Sequence, residues 1–273
     1  MDTEIIAIYC LCDDLLKAMH HIEDRQCQMS DAEVMTTAIV AARCFRGNIE
    51  CARALPQQQT YIPTMLSRSR LNRRLHRVKK YFLTLFARLA EHWKARNGES
   101  LYVVDTFPLA TCDPYRILRV RLYQGEAYRG YTASKRRYFY GLKIHLLVTA
   151  QGQPVEFVLT PGSCADVTGL QWFDFELPEG AEIYADKAYN DYRVEDELAD
   201  LGLHLLPLRK KNSNRPYPPW LTAWISRHRK VVETAGSLMQ RGMPKSIHAV
   251  TAAGFEMKVL LFVLGLSLHH LLG

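Results

Sequence analysis

The chain has 273 residues, of which 48% are hydrophobic and 23% charged, a balance that supports one sizeable core or two modest ones and excludes wholesale disorder. The net charge of +7 is mild, but its placement is not: residues 68–80, 116–137 and 209–230 each hold seven Lys or Arg, and Glu126 is the one acid among them. Clustering of that kind points to a polyanionic partner rather than to scattered solvated charge.

The N-terminus, Met1-Asp2-Thr3-Glu4, is acidic and lacks the basic start of a secretory signal. The first hundred residues read as helical. Ser30-Asp31-Ala32-Glu33 has the spacing of a capping box, Met35, Ile39 and Ala42 follow at helical period, and Gly47 is placed to stop that helix. Pro56 and Pro63 bracket a Gln-rich turn. From Ser69 a long amphipathic helix is predicted, with Leu71, Leu75, Val78, Phe82, Leu85, Leu89 and Trp93 on the core face. Arg70, Arg73, Arg74, Arg77 and Lys80 form its basic outer stripe, and Asn97-Gly98 ends it.

After residue 100 strands take over. Leu101–Thr106 is a short apolar strand. Tyr140 to Val148 alternates as a half-buried strand, and Gln151-Gly152 turns it into a hairpin with 154–160. Strands at 183–186 and 203–208 flank a helix at 190–201. Helices at 220–240 and 255–272 close the chain. The most apolar stretch, Val259 to Leu268, is shorter than the ~20 residues of a membrane span and reads as a core helix, so no membrane partner is expected. The connection between Asp105 and Tyr138 is too long for an ordinary loop. It interleaves Arg116, Arg119, Arg121, Arg129, Lys135, Arg136 and Arg137 with Tyr115, Tyr123, Tyr128, Tyr131 and Tyr138, a pattern suited to tracking phosphates and stacking on unpaired bases. Seven cysteines, at 10, 12, 27, 44, 51, 112 and 164, form no C-x-x-C pair, which argues against zinc and for mostly buried, reduced thiols in a cytosolic protein.

Three acids stand out in this basic chain. Asp105 closes the run Leu101-Tyr102-Val103-Val104, Asp186 closes Ile183-Tyr184-Ala185, and Glu233 sits in the helical stretch Arg229-Lys230-Val231-Val232-Glu233-Thr234. Two strand-end aspartates and a later helical glutamate are the hard oxygen ligands that a pair of Mg²⁺ ions, with Mn²⁺ as substitute, requires for phosphodiester chemistry. Taken one at a time, Asp105 and Asp186 are also credible caps, and Glu233 a surface partner of Arg229 at i−4. Asp166 reads as a cap of the short helix after it. His145 reads as a structural residue of its strand.

The order of elements resembles the ribonuclease H-like fold, a mixed five-stranded sheet with flanking helices, whose first and fourth strands are neighbours and whose late helix brings the third acid. The sequence is similar to insertion-sequence DDE transposases, most of all to the insertion sequence 982 family. The stretches that carry the likeness run from Ser67-Arg68-Ser69-Arg70-Leu71-Asn72-Arg73-Arg74-Leu75-His76, through Val103-Val104-Asp105-Thr106-Phe107-Pro108 and Leu122-Tyr123-Gln124-Gly125-Glu126-Ala127-Tyr128-Arg129-Gly130-Tyr131, to Tyr138-Phe139-Tyr140-Gly141-Leu142-Lys143-Ile144-His145. Tyr184-Ala185-Asp186-Lys187-Ala188-Tyr189, Val231-Val232-Glu233-Thr234 and Pro244-Lys245-Ser246-Ile247-His248-Ala249-Val250-Thr251 complete them. Related groups surround the last acid with Y-x₂-R-x₃-E-x₆-K. Here Arg229 and Glu233 fit, whereas Ser226 and Gln240 stand at the tyrosine and lysine positions and Arg241 lies one residue on.

The resemblance implies a helical DNA-binding and oligomerisation region at 1–97. It implies a DDE catalytic domain at 98–273 with a basic, Tyr-rich insertion at 107–137. Asp105, Asp186 and Glu233 become catalytic metal ligands, while Arg70, Arg73, Arg74, Arg77, Arg129, Lys135, Arg136, Arg137, Arg229 and Lys230 become candidate DNA contacts. The implied activity is cleavage at the ends of a mobile element and joining of the 3′-hydroxyls to target DNA. The implied setting is a homodimer or larger synaptic assembly in the cytoplasm of a bacterial or archaeal cell, associated with the nucleoid. Two other readings use parts of the same pattern. A ribonuclease H-like nuclease on branched or hybrid nucleic acid shares the acids. A non-enzymatic DNA-binding regulator uses the basic runs but leaves the acids idle. A haloacid-dehalogenase-like phosphatase needs a second acid where Phe107 stands.

Overall fold

Four consecutive buried residues, Leu101 to Val104, begin β1 (Leu101–Cys112), as expected of a strand covered on both faces. The computed structural model describes residues 2–58, 61–112, 114–132 and 136–273. The remaining strands are β2 (Arg129–Thr132), β3 (Arg137–Thr149), β4 (Pro154–Pro161), β5 (Glu182–Ala185) and β6 (His204–Pro207). They form a six-stranded mixed sheet in the order β2-β3-β1-β5-β6, with β4 also paired to β3. β1 is antiparallel to β3 and parallel to β5, and β5 is parallel to β6. The hairpin of β3 and β4 forms where the alternation of 140–148 and the Gln151-Gly152 turn place it.

β1 is twice as long as the strand expected at 101–106, so Asp105 lies within it, opposite Leu146 of β3. The strand passes through Pro108, which pairs in register with Lys143. Proline is tolerated there because β5 covers β1 only at residues 101–103, and a missing N–H costs little on an edge without a partner strand. The segment 107–137 is accordingly not one insertion loop. It contains the second half of β1, short 3₁₀ turns at Pro114–Arg119 and Glu126–Tyr128, and β2.

The helices are α1 (Asp2–Ala18), α2 (Asp31–Cys44), α3 (Ile49–Gln58), α4 (Arg68–Arg77), α5 (Lys79–Arg96), α6 (Asp166–Gly169), α7 (Tyr192–Asp200), α8 (Pro219–Gly242) and α9 (Ala252–Leu272). The capping box of α2 is made in full: Ser30 Oγ accepts from the Glu33 N–H at 3.1 Å, and Glu33 Oε2 accepts from the Ser30 N–H at 2.6 Å. The long basic helix expected from Ser69 is instead two, α4 and α5, broken at Val78 although the apolar period runs on through it.

The chain divides into two units. One comprises Met1–Leu89, Met239–Lys245 and Ala249–Gly273, the other Ala90–Leu238 and Ser246–His248. α9 therefore groups with the N-terminal helices. It is longer than its most apolar stretch and, by length and composition, could cross a bilayer, but 67% of its most apolar window is buried inside the protein, and it packs against α2. The seven cysteines divide by exposure. Only Cys12 and Cys112 are buried, Cys44 and Cys164 are half-buried, and Cys10, Cys27 and Cys51 are exposed, contrary to the expectation of a mostly buried set.

Candidate active site

Sheet register brings the two aspartates together. In the parallel β1–β5 ladder Val103 pairs with Tyr184, and Asp105 and Asp186 each lie two residues further along. Equal offsets on neighbouring parallel strands, ~4.8 Å apart, put both residues at one level and on one face. Glu233 comes from α8, whose Ile225, Val232, Ala235 and Met239 are buried and orient the helix.

At the junction sits the guanidinium of Arg229, one turn before Glu233 and only 11% exposed. Its Nη2 lies 3.4 Å from Asp105 Oδ2 and 4.0 Å from Glu233 Oε1, and its Nη1 lies 3.4 Å from Asp186 Oδ1. One planar fork thus reaches all three carboxylates, and no pair of them can be more than about 10 Å apart. None of the contacts has the ~2.8 Å length of a tight charge-assisted hydrogen bond. Arg229 Nε is buried without a partner. The side chain is a loosely held counter-charge shared by three acids.

Burial is the main reason that Asp105 has its pKa pushed up to about 6. Asp186 and Glu233 add to the rise, whereas the Thr106 N–H, which donates to Asp105 Oδ1 at 2.8 Å, and Arg229 oppose it. A carboxylate in that position gains by meeting a cation. Asp186 makes no cap for the short turn Lys187–Tyr189, and α7 is capped by Asp191 instead. Neither aspartate is occupied with capping a helix.

Beneath this cluster lies an uncharged buried network. Thr106, paired with His145 across β1 and β3, has its Oγ1 3.0 Å from His145 Nδ1 and 2.5 Å from the Tyr189 hydroxyl. His145 Nε2 is 2.9 Å from Thr160 Oγ1. Burial pushes the imidazole down to about 4, so at neutral pH it is neutral, and hydroxyl partners can serve either ring nitrogen. Because Tyr189 follows Asp186 by three residues and Thr106 follows Asp105 by one, the network ties together the two backbone segments that carry the aspartates. Gly169 closes it: a Cβ there would lie 2.2 Å from His145 Cε1. Asp166 does not cap α6. It pairs with Lys143 at 2.9 Å, and Lys143 also donates to the Cys164 carbonyl. The alternation of Lys143 and His145 along β3 signalled this network, but its partners Thr160 and Tyr189 carried no local mark.

Of the basic residues singled out, Arg70, Arg73, Arg77, Arg129, Arg136, Arg137 and Lys230 are exposed, and Lys135 lies outside the described residues. Arg74 turns inward instead. It pairs with Asp31 at 2.5 Å, both side chains being 14% exposed, and its Nη1 lies 3.2 Å from Cys27 Sγ. Arg229 likewise belongs to the acid cluster rather than to an outer face. In the helical unit His21, Glu23 and Asp31 have ligand atoms within 4.8 Å of one another. Their polar atoms are already engaged by Tyr81, the Asp31 N–H and Arg74, so this group is a hydrogen-bonded brace.

A mixed sheet that carries two aspartates on adjacent parallel strands and a glutamate on a late helix defines a triacidic site. The family model described as the transposase DDE domain matches residues 95–244, which include all three acids. The chain belongs to that family of DDE transposases. No curated protein matches the sequence. Among solved structures, the cryo-EM structure of a piggyBac transposase synaptic complex with hairpin DNA is similar at 10% identity and a TM-score of 0.47, covering 97% of this chain. The chain spans 64% of the length of that one. The family implies a divalent cation, and the donor set fits one: three carboxylates, one of them with its pKa raised by burial, around a guanidinium that makes no tight bond.

Proposed function

We propose that the protein is an insertion-sequence transposase, of the insertion sequence 982 type and on a ribonuclease H-like fold, that cuts the ends of a mobile element and joins the 3′-hydroxyls to target DNA. The observation that carries this reading is the convergence of Asp105, Asp186 and Glu233 on one guanidinium. The strand arrangement, β1, β3 and β4 antiparallel and continued from β1 by the parallel β5 and β6, with β2 added at the end of β3, supports the fold assignment. The three acids would hold a pair of Mg²⁺ or Mn²⁺ ions, which supply Lewis-acid activation of the attacking oxygen and the scissile phosphate.

The chain's own residues set the rest. The Thr106, His145 and Tyr189 network holds the two aspartate-bearing segments at fixed separation. Arg229 offsets part of the negative charge of the three acids and, being loosely held, could turn to a phosphate oxygen of bound DNA. Arg70, Arg73, Arg77 and Lys230 are exposed where they can meet the DNA backbone, and the element's terminal repeats and the target are the DNA partners. Joining two ends calls for at least a homodimer.

Purified protein incubated with labelled end-fragment DNA and Mg²⁺ or Mn²⁺ tests the reading. Nicking at the element's end followed by strand transfer is expected. Nicking that ignores the end sequence and never proceeds to transfer would favour a simple nuclease, and binding without any nicking would favour a regulator.

A further inference from the structure

The register of β2 on β3 creates a feature outside the acid cluster. Arg129 pairs with Tyr140, Gly130 with Phe139, Tyr131 with Tyr138 and Thr132 with Arg137. β1 accompanies β3 only as far as Tyr140, so residues 137–139 have β2 as their sole partner strand among the described residues, and the end of the sheet is a two-stranded ribbon. Strand alternation gives the ribbon two unlike faces. Gly130 and Phe139 lie on one. Phe139 is buried, and a Cβ at Gly130 would stand 2.4 Å from its ring and 2.6 Å from the Gly162 carbonyl, so that face is committed to the protein.

Arg129, Tyr131, Tyr138 and Tyr140 lie on the other face. Tyr131 and Tyr138 are 50% and 49% exposed, with ring centroids 4.9 Å apart and a tilt of 51°. The Arg129 guanidinium stands 4.5 Å from the Tyr138 centroid. Glu126 anchors the base of this face, 3.5 Å from Arg129 and accepting a hydrogen bond from the Tyr140 hydroxyl at 3.3 Å. It is the only acid between residues 116 and 137.

Two half-open aromatic rings with a guanidinium laid against one of them present π surface and positive charge together. An apolar partner has no use for the charge, and an acidic peptide has none for two flat rings. A duplex hides its base faces inside the stack. A nucleic-acid strand with unpaired bases offers both a ring to stack and a phosphate to neutralise. We propose that this ribbon face, Arg129 with Tyr131 and Tyr138, is a stacking platform for unpaired bases of a DNA strand. The proposal rests on the reading of the protein as a DNA-processing enzyme and adds the strand form that it engages.

The test is a metal-free titration of the full chain with a single-stranded oligonucleotide carrying 2-aminopurine, beside a duplex of the same sequence. Wild-type protein is expected to quench the fluorophore on binding. In the double variant Tyr131→Leu, Tyr138→Leu, single-strand affinity should drop about tenfold or more while duplex affinity is kept. The Phe double variant, which keeps the rings, should bind as wild type does. Wild-type binding without quenching would overturn the proposal even if the Leu variant failed to fold. So would a folded Leu variant with unchanged single-strand affinity, or one whose single-strand and duplex affinities fell alike. None of those results would touch end cleavage, whose absence in the separate Mg²⁺ assay would instead overturn the functional reading.

Discussion

Replacing Arg229 by Gln removes the cation that the three acids share and leaves a shorter, uncharged polar side chain. The metal-free protein should then lose stability in a pH-dependent way. Asp105 titrates at about 6 in the folded chain against an ordinary value of 3.8. A carboxyl group whose folded pKa is raised favours the fold in its protonated form. That contribution is complete below about 3.8 and is lost as pH rises through about 6. The difference is on the order of 3 kcal/mol for wild type without metal. In the variant the opposing pull of Arg229 is gone, so the Asp105 pKa should climb further and the loss should extend to higher pH.

The extra cost lies between the ~1 kcal/mol of an exposed ion pair and the ~4 kcal/mol of a broken buried one, because Arg229 is 11% and Asp105 20% exposed whereas Glu233 is 59% exposed. About 2 kcal/mol at pH 8 is the expected figure. Urea unfolding of both proteins in chelator at pH 5 and pH 8 would measure it, and a repeat in Mg²⁺ or Mn²⁺ should narrow the gap at pH 8. A variant as stable as wild type at pH 8 without metal would refute the role given to Arg229. So would a gap of the same size at both pH values.

Asp105→Ala and Glu233→Ala should each abolish metal-dependent end cleavage while leaving DNA binding intact, which a gel-shift assay beside the nicking assay would show; wild-type cleavage by either variant would remove that residue from the ligand set. Changing Arg70, Arg73 and Arg77 to Ala should flatten the slope of log affinity against log salt by up to about 3 units, near 0.9 per phosphate contact. Arg74→Ala should instead lower the melting temperature, at a cost of about 1–3 kcal/mol, because it leaves the largely buried carboxylate of Asp31 with His21 alone as its side-chain partner. Gly169→Ala drives a methyl group into the His145 ring and should cost about 1–3 kcal/mol in denaturant unfolding. An unchanged midpoint there would mean that the buried network is slack.

What the sequence disclosed and what it hid divide along a physical line. Asp105 and Asp186 were legible because main-chain periodicity places them: each follows a short apolar run that can only be an interior strand, and parallel register does the rest. The capping box of α2 and the hairpin of β3 and β4 were legible for the same local reason. The length of β1 was not, because a charge and a proline ordinarily stop a strand. Here the charge belongs to the candidate site, and the proline pairs with β3 on one edge while β5 does not reach it on the other.

Arg74 and Arg229 show the opposite limit. A helical wheel can say that each lies off the apolar stripe, but a long flexible side chain chooses its partner among groups that sequence separation conceals: Asp31, 43 residues away, and Asp105, 124 residues away. In a basic chain the informative question about an arginine is therefore which acids the fold has left without a cation. Asp31 and the three acids of the candidate site are such acids, and Arg74 and Arg229 turn inward to them. The arginines without such a neighbour, Arg70, Arg73 and Arg77, remained exposed on α4. They are the proposed phosphate contacts, so a salt slope that responds to those three and ignores Arg74 would separate the two populations directly.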